Sequence, residues 1–398
     1  MNHFLCLNGG KSLEFLNLAN NQLSEVIPDC WLKWPTLSFV SLENNNLSGV
    51  IPPTLGSLSS LGTLNLCNNK LSGSLPASLS NLTSLEILQL GRNELFGRIP
   101  QWVGQLSSLG ILHLGFNKFD GNIPHELCGL TTIQILVLAH NNLTGNIPKC
   151  FDKFNVLSGK GNTSSGRIFT LSVLGTDLLG SASLVTKGRE EEYSTILRLV
   201  MILDLSSNKL SGHIPNELMS LQNLQSLNLS RNQLTGKIPN KIGDMKFLES
   251  FDISLNQLSG KFPMSLSRLN FLSSFNVSYN DLTGSIPSST QLQGFDESSF
   301  YGNKLCGDPV SKRCRMEVPD ARDQEEGDNG SSGRNWGLLI SILCGFGAGF
   351  WLVMAPLVIN TSWRTKYFTV LISVWYMFCD VIHKYCCKKF PSEQVISN

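Results

Sequence analysis

Cysteine is the residue type whose spacing offers the clearest chemistry in this 398-residue chain, which contains 11 of them. A thiol can form a disulfide, bind a metal or act as a nucleophile. No quartet of cysteine and histidine has the spacing of zinc ligands, so disulfides are favoured over a metal site. Cys67 has no obvious partner and is interpreted as an inert thiol. The predicted pairs are Cys6–Cys30, Cys128–Cys150 and Cys306–Cys314.

The sequence lacks the motifs of common catalytic sites. It contains no HExxH, no GxSxG, no P-loop, no kinase lysine and no HRD loop. His113 and His140 are predicted to point outward from strands, and neither has a nucleophile near it in the pattern. A formal net charge of +1 gives no reason to expect nucleic acid as a partner. We therefore predict a protein that is not an enzyme and that needs no cofactor and no metal.

The elements that must position these residues are repeats of 24 residues, written for example "LENNNLSGVIP" at 42–52. Counting from zero at the apolar residue that opens each unit, all ten units carry asparagine at position 8 and proline at position 15. One interval of 67 residues is a repeat plus a 43-residue insertion. This period and residue pattern are typical of leucine-rich repeats. The units open at Leu13, Leu37, Leu61, Leu85, Leu109, Ile133, Val200, Leu224, Leu248 and Leu272.

The predicted fold class is an α/β-type leucine-rich-repeat solenoid, of horseshoe or superhelix form, with a parallel β-sheet on its concave face. Leucines at positions 0, 3 and 5 point inward, and the asparagine satisfies backbone groups where the chain leaves the sheet. Glycine at position 12 suits a turn, and the proline suits a coil better than a central strand. These residues are scaffold, so function must lie in the positions that the repeat leaves free.

Positions 2, 4 and 7 are predicted to face the concave side. In repeats four to six they carry a mixture of apolar, aromatic and cationic side chains, which suits a peptide or protein ligand. The alternative is that exposed apolar residues merely pack beside one another on the sheet. The candidate ligand-binding residues are Arg92, His113, Phe116, Val137 and His140.

A run of 24 uncharged residues at 336–359 predicts one transmembrane helix, because it makes roughly 36 Å of helix against a hydrocarbon core of about 30 Å. Basic residues after the span place the C-terminus in the cytosol and the repeats outside the cell. Gly345 and Gly349 form a GxxxG pair that suits helix pairing, although glycine is common in membrane helices. An apolar run at 367–379 is too short to span and is interpreted as interfacial.

N-x-[ST] sequons predict a glycoprotein, although some arise simply because the repeat contains Asn-Leu-Ser. An eighth sequon stands at Asn360. The predicted glycosylation sites are Asn46, Asn81, Asn142, Asn162, Asn228, Asn276 and Asn329.

The predicted domain organisation has seven parts. These are repeats at 1–156, an island insertion at 157–199, four repeats at 200–294, a cysteine cap at 295–316, an acidic stalk at 317–335, the transmembrane helix at 336–359 and a short cytoplasmic tail at 360–398.

Several segments together resemble the plant leucine-rich-repeat receptor-like proteins, in the branch of the fungal-xylanase and leaf-mould resistance receptors. They are the LxGxIP repeat, the four repeats after an island that ends "TKGREEEYSTILRLV", the cap "FYGNKLCGDPVSKRC", the acidic stalk, the glycine-rich span and "NTSWRTKYF". The resemblance covers about residues 1 to 370. Met1 to Leu7 give no convincing signal peptide and earlier repeats are missing, so an N-terminally truncated member is expected.

The resemblance implies a plasma-membrane receptor without a kinase that perceives an extracellular, often microbial, peptide or protein and signals through partner receptor kinases in plant defence. It also implies a co-receptor surface after the island. Sequons at Asn228 and Asn276 argue against that surface if glycans occupy both. The alternative function is a non-signalling decoy or a developmental modulator of receptor-kinase complexes. The candidate co-receptor residues are Asp204, Arg231, Asp252 and Tyr279.

Overall fold

The computed structural model describes residues 5–6, 12–160 and 199–314, together with the backbone of short strands at 171–173, 176–178, 182–186 and 189–193. The chain divides into two compact units, Met1–Glu317 and Val318–Asn398, and every described residue belongs to the first. The second unit, with the predicted stalk, membrane span and tail, lies outside the described residues.

Each repeat contributes one short strand to a first sheet, and most repeats contribute another to a second sheet. The strands are β1 (Phe15–Asn17), β2 (Phe39–Ser41), β3 (Ser48–Val50), β4 (Thr63–Asn65), β5 (Lys70–Gly73), β6 (Ile87–Gln89), β7 (Glu94–Arg98), β8 (Ile111–His113), β9 (Lys118–Asn122), β10 (Ile135–Val137), β11 (Asn142–Asn146), β12 (Leu171–Val173), β13 (Thr176–Leu178), β14 (Ala182–Thr186), β15 (Arg189–Tyr193), β16 (Ile202–Asp204), β17 (Lys209–His213), β18 (Ser226–Asn228), β19 (Gln233–Gly236), β20 (Ser250–Asp252), β21 (Gln257–Lys261), β22 (Ser274–Asn276), β23 (Asp281–Ser285) and β24 (Lys304–Cys306).

The first sheet is parallel and follows the order β1-β2-β4-β6-β8-β10-β16-β18-β20-β22. Neighbouring residues are equivalent positions of successive repeats, as in the pairing of Leu64 with Leu88. The insertion does not interrupt this register, because Ile135 of β10 pairs directly with Ile202 of β16. Within the insertion, β12–β13 and β14–β15 form two separate antiparallel pairs. The ten repeats therefore behave as one continuous stack.

The second sheet was not predicted. It is parallel and has the order β24-β23-β21-β19-β17-β11-β9-β7-β5-β3. Most of its strands begin one residue after the position-8 asparagine, and in the repeats they end two or three residues before the proline, so the proline lies outside the hydrogen-bonded ladder, as its missing N–H requires. The leucine core is enclosed by the first sheet, the second sheet and an outer layer of short helices.

That outer layer consists of short 3-10 helices, which corrects the α/β-type expectation of α-helices. Most of them follow the proline directly, and five residues are too few for a stable α-helix. A four-residue α-helix, Thr290–Gln293, follows the last repeat. The 3-10 helices are Trp31–Lys33, Pro53–Ser57, Ala77–Asn81, Gln101–Gln105, His125–Gly129, Lys149–Lys153, Asn216–Ser220, Asn240–Asp244, Met264–Arg268 and Glu297–Phe300.

The position-8 asparagine joins each repeat to the preceding one. The amide nitrogen of Asn93 donates to the carbonyl oxygens of Leu66, Leu90 and Gly91 at 2.9, 3.1 and 3.2 Å. Its amide oxygen accepts from the backbone N–H of Leu71 at 3.0 Å. Because these backbone groups are buried, they need partners inside the protein. We call the row formed by Asn45 and its equivalents in the later repeats the asparagine ladder.

The ladder extends across the insertion and into the cap. Asn208 donates to the carbonyl oxygen of Leu138, in the last repeat before the insertion, at 3.0 Å and accepts from the N–H of Leu143 at 3.0 Å. After the last repeat, Asn303 accepts from the N–H of Leu282 at 3.0 Å, as a repeat asparagine would. Strand β24 then adds to β23. The cap therefore continues the backbone pattern of the repeats for a further half coil.

Three cysteine pairs are bonded in the structure, with Cα–Cα separations of 5.5, 5.7 and 5.0 Å. Cys67 carries a free thiol. Burial raises the pKa of this thiol, and the nearby Glu43 carboxylate raises it further. A thiol with a raised pKa is a weak nucleophile at neutral pH, which agrees with the inert role expected for it. The bonded pairs are Cys6–Cys30, Cys128–Cys150 and Cys306–Cys314.

No helix within the described residues is long and apolar enough to cross a membrane. The predicted span at 336–359, including Gly345 and Gly349, lies outside those residues and stays a prediction.

The ladder predicts a specific loss of stability. Replacing Asn93 by alanine leaves four buried backbone groups without this partner, so we expect the free energy of unfolding to fall by about 3 kcal/mol. Urea unfolding of the purified full-length chain, followed by tryptophan fluorescence, measures it. The exposed Asn216→Ala variant is the control and should change stability by less than about 0.5 kcal/mol. Equal losses in both variants would contradict the role given to the ladder.

Candidate functional site

Position 7 of every repeat, just before the ladder asparagine, has a left-handed backbone, with φ between 51° and 58° in all ten repeats. Asparagine tolerates this conformation better than other residues with a side chain. The first three repeats carry asparagine there, at Asn20, Asn44 and Asn68. The later repeats do not. They carry Arg92, Phe116, His140, Ser207, Arg231, Leu255 and Tyr279.

Hydrogen bonds between coils hold this conformation whatever the side chain is. The N–H of Arg92 donates to the carbonyl oxygen of Gly115 at 2.9 Å, and the N–H of Phe116 donates to that of Ala139 at 2.8 Å. A left-handed backbone costs an ordinary residue roughly 1–2 kcal/mol. Bulky residues at position 7 therefore lower the stability of the folded chain. Backbone strain of this kind concentrates at functional sites.

The position-7 residues of repeats four to six form a continuous stack. The guanidinium carbon of Arg92 lies 4.3 Å from the centre of the Phe116 ring. The Phe116 and His140 rings are stacked, with centroids 4.1 Å apart and planes inclined by 12°. Arg92 and Phe116 are half-buried and His140 is exposed. We call this group the Arg92–Phe116–His140 stack, and it offers both a cationic and an aromatic surface at the edge of the first sheet.

The other two predicted ligand residues lie in a buried layer instead. His113 is 4% exposed, and its Nδ1 lies 3.7 Å from Cys67 Sγ. The imidazole occupies space that Gly91 leaves open, because a Cβ on Gly91 would lie 2.5 Å from His113 Cε1. Val137 is 6% exposed and belongs to a second apolar cluster. The expectation that both side chains face a ligand is therefore corrected: the structure brings together only Arg92, Phe116 and His140.

That second apolar cluster corrects a wider expectation about the face of the first sheet turned away from the leucine core, which we call the concave face. Apolar residues at positions 2 and 4 of repeats four to six were expected to be exposed there. They are almost completely buried and, with Ala139, Val200 and Ile202, form a cluster separate from the main core. Periodicity identifies the face of a strand but not what covers that face. The members are Ile87, Ile111, Ile135, Val137, Ala139, Val200 and Ile202.

Two buried polar atoms on the concave face were missed as candidates. The hydroxyl oxygen of Ser41 and the amide nitrogen of Gln89 have no hydrogen-bond partner within the described part of the chain. Both belong to position 4, in repeats two and four, and flank Asn65 in the same row. An unpaired buried donor costs about 1–3 kcal/mol, so each atom is a candidate partner for an internal water. Their only sequence signal is a polar residue at a strand position on the concave side.

The electrostatics of the concave face change after the insertion. Partial withdrawal from solvent lowers the pKa of His140, and the Arg231 and Arg92 cations lower it further. Burial raises the pKa of Asp204 to about 6, against hydrogen bonds from Ser206 that lower it. Burial also raises the pKa of Asp252. The lowered pKa favours the neutral form of the His140 imidazole, and the raised pKa values favour the protonated forms of the Asp204 and Asp252 carboxyl groups.

The candidate co-receptor residues differ in accessibility. Asp204 is 3% exposed and Asp252 is half-buried, whereas Arg231 is exposed and Tyr279 is 57% exposed. Asp204 is thus too deeply buried to contact a docking protein directly. Leu255 and Tyr301, which the sequence did not single out, are 39% and 49% exposed beside this row. The accessible part of this surface therefore combines the Arg231 cation with apolar and aromatic side chains, whereas a polar strip was expected.

Metal binding has no support in the described ranges, where no group of three or more His, Cys, Asp or Glu side chains could hold an ion.

The left-handed backbone predicts a stabilising substitution. Leu255 has a φ of 53° and is 39% exposed, so Leu255→Asn should raise the free energy of unfolding by about 1 kcal/mol. The measurement is the urea midpoint of the full-length chain. Leu32→Asn is the matched control, since Leu32 is 69% exposed in a 3-10 helix with ordinary φ. The prediction fails if both substitutions change the midpoint equally.

Burial of Asp204 predicts a dependence of stability on pH. Because its pKa is higher in the folded than in the unfolded chain, the folded state binds the proton more tightly, and stability falls as pH rises from about 4 to above 6. The loss from this group is at most about 3 kcal/mol. Asp204→Asn should remove that loss and make the chain more stable than wild type at pH 7. Asparagine fits this position, since Asn228 occupies it in the next repeat and accepts from Ser230.

Unfolding curves at pH 4.5 and pH 7 measure this effect, and the exposed Asp120→Asn variant is the control. An Asp204→Asn variant that loses stability at pH 7 would show that the carboxylate is needed in its charged form.

Two family models match the repeats. One, described as Leucine rich repeat, matches residues 35–95, and the other, described as Leucine Rich Repeat, matches 12–34, 132–154, 200–221 and 223–245.

Similar proteins of known sequence are plant receptor-like proteins. The chain is 52% identical over 232 residues to Receptor-like protein EIX2 of Solanum lycopersicum, which covers 56% of this chain and 23% of EIX2. It is 55% identical over 190 residues to Receptor-like protein 9DC3 of Solanum pimpinellifolium, which covers 46% of this chain and 21% of 9DC3. The matched region thus spans less than a quarter of these relatives.

Similar solved structures include receptor ectodomains. The GASSHO1/SCHENGEN3 receptor kinase ectodomain of Arabidopsis thaliana, in complex with CASPARIAN STRIP INTEGRITY FACTOR 2, is 31% identical with a TM-score of 0.56, covering 76% of this chain and 34% of that one. The Arabidopsis receptor kinase HAESA, with the peptide hormone IDA and the co-receptor SERK1, is 32% identical with a TM-score of 0.50, covering 75% and 51%.

A plant ice-binding protein is similar to the same extent, at 28% identity and a TM-score of 0.58, covering 76% of this chain and 84% of that one. The fold alone therefore does not decide the function. The sequence relatives are more specific. Taken with the repeats and the parallel sheets, they identify the chain as a homologue of the plant leucine-rich-repeat receptor-like proteins, in the branch that contains the tomato EIX receptors.

Proposed function

We propose that this chain is a cell-surface receptor-like protein that binds an extracellular peptide or protein of microbial origin through its repeats and signals through partner receptor kinases in plant defence. The observation that carries the proposal is the Arg92–Phe116–His140 stack on a strained backbone. Three consecutive repeats keep bulky side chains where asparagine fits better. A binding role for these side chains explains why the strain is retained.

The chemistry of the stack suits a peptide or protein ligand. Aromatic and arginine side chains are enriched at the centres of protein interfaces. A guanidinium group has a planar fork of N–H donors that matches the geometry of a carboxylate. The similar GASSHO1 and HAESA ectodomains were solved with the partners that their descriptions name as CASPARIAN STRIP INTEGRITY FACTOR 2 and the peptide hormone IDA.

A partner kinase is part of the proposal because the resemblance to the plant receptor-like proteins implies signalling through receptor kinases. Arg231 and Tyr279, with the exposed Leu255 and Tyr301 beside them, form the proposed co-receptor surface. HAESA, a structural relative, was solved with the co-receptor SERK1. The three disulfides suit an oxidising, extracellular compartment, and the predicted span with Gly345 and Gly349 supplies the membrane anchor and a helix-pairing site.

The stack predicts a loss of binding without unfolding. A random peptide library displayed on phage is selected against the full-length chain, and the enriched peptides are tested on Arg92→Ala/Phe116→Ala. We expect at least a tenfold weaker affinity, since the double substitution removes both the cation and the ring.

Thr63→Ala/Ser274→Ala is the control, because both residues lie on the same sheet outside the stack. Unchanged affinity of the enriched peptides for the Arg92→Ala/Phe116→Ala variant would rule this ligand surface out. A binding defect accompanied by a matching loss in the urea midpoint would also count against it.

A further inference from the structure

The second sheet carries an ordered row of side chains that the proposed function does not use. Position 12 of nine repeats is a glycine with φ between 73° and 94°. The space that its missing Cβ leaves is filled by the position-13 side chain of the preceding coil. A Cβ on Gly260 would lie 2.8 Å from Lys237 Cγ, and one on Gly121 would lie 3.1 Å from Arg98 Cγ. The aliphatic stems therefore lie flat on the next coil.

This contact aligns the position-13 groups along the solenoid. His213 also fills the space beside the glycine of the next coil. Its Nδ1 lies 2.4 Å from a Cβ built on Gly236 and 3.2 Å from the carbonyl oxygen of Thr235. Neighbouring strands in a sheet lie about 4.8 Å apart, so the groups recur at about that interval. All are exposed. We call the position-13 residues of repeats four to nine the position-13 row. They are Arg98, Asn122, Asn146, His213, Lys237 and Lys261.

Grooves run beside this row. The groove between Lys237 and Lys261 has a volume of about 640 Å³, a floor that includes Ile238 and Phe262, and polar groups from Asn240, Ser265 and Thr283. None of its lining residues is acidic. Neither lysine forms an ion pair with another described residue. Two further grooves, of about 610 and 750 Å³, lie beside Arg98 and His213, each with one glutamate in its lining.

We infer that this face binds an acidic polysaccharide, with Lys237 and Lys261 pairing with carboxylates of successive uronic acid units. The two lysines occupy equivalent positions of successive coils, which recur at about 4.8 Å, close to the rise of one sugar in an extended chain. Amide and hydroxyl side chains in the same groove can donate to and accept from sugar hydroxyls. A positively charged groove without neutralising carboxylates attracts a polyanion of matching spacing.

An acidic peptide fits this face less well. Extended peptides usually gain affinity by adding a strand to the free edge of a sheet. Strands β19, β21 and β23 lie inside the second sheet and are paired on both sides. Their main-chain groups are thus already engaged, and only side chains are available to a ligand. A ligand that offers carboxylates and hydroxyl groups to these side chains, as an acidic polysaccharide does, is therefore favoured over a peptide.

The test uses the full-length chain purified in detergent and an oligogalacturonate of fixed length as the probe. Two comparison probes are the same oligomer with all carboxyl groups methyl-esterified and an oligoglutamate of equal charge. We expect the oligogalacturonate to bind at least tenfold more tightly than either comparison probe, with an affinity that falls as salt is added. Lys237→Gln/Lys261→Gln should weaken its binding at least tenfold.

Lys209→Gln is the matched control, because Lys209 is an exposed lysine outside the grooves. It lies at the opposite end of strand β17 from His213. It should leave the affinity within twofold. Equal binding of the esterified probe, tighter binding of the oligoglutamate, or an unchanged affinity of the Lys237→Gln/Lys261→Gln variant would overturn the inference. The grooves belong to the second sheet, so none of these outcomes bears on peptide binding by the Arg92–Phe116–His140 stack.

Discussion

A single buried hydrogen-bond network, the asparagine ladder, is the constraint on which the rest of this structure depends. In each coil after the first, one amide side chain donates to carbonyl oxygens of its own and the preceding repeat and accepts from a backbone N–H of the preceding repeat, as Asn69 does. Buried main-chain groups left without such partners would destabilise every turn between the two sheets. Because the residue before each ladder asparagine must turn the chain into this geometry, position 7 is held at positive φ in all ten repeats. The scaffold therefore fixes the backbone conformation at position 7, although the side chain at this position varies from repeat to repeat.

The same network explains how a long insertion is tolerated. Asn208 lies 70 residues from Leu138 along the chain, yet they are hydrogen-bonded at 3.0 Å as neighbouring coils. The strand pairing of Ile135 with Ile202 gives the same result in the first sheet. His140 and Arg231, from opposite sides of the insertion, are consequently close enough for the arginine to depress the pKa of the imidazole. The proposed ligand and co-receptor surfaces thus belong to one uninterrupted row, and a ligand at the stack lies near the second half of the repeats.

Much of the scaffold could be predicted because it is periodic. The repeat openings, the role of the asparagine and the pairing of Cys6 with Cys30 follow from a period of 24 residues, and the other two cysteine pairs follow from their places in adjacent coils and in the cap. The second sheet and the 3-10 layer were not predicted, since short segments with glycine and proline carry little signal of regular structure. The site was predicted in part: Arg92, Phe116 and His140 meet, but His113 and Val137 are buried. Burial on a sheet face depends on what covers it and on gaps such as Gly91, which no local pattern encodes.

The central claim is that Arg92, Phe116 and His140 are retained for binding and not for stability. A triple variant, Arg92→Asn/Phe116→Asn/His140→Asn, restores the asparagine of the first three repeats, where Asn44 and Asn68 each donate to the preceding asparagine at 2.8 Å. Measuring its free energy of unfolding together with its affinity for peptides selected on the wild-type chain tests the claim most directly. The account predicts a chain at least as stable as wild type that no longer binds those peptides. A variant that loses more than about 1 kcal/mol of stability yet binds as before would contradict it.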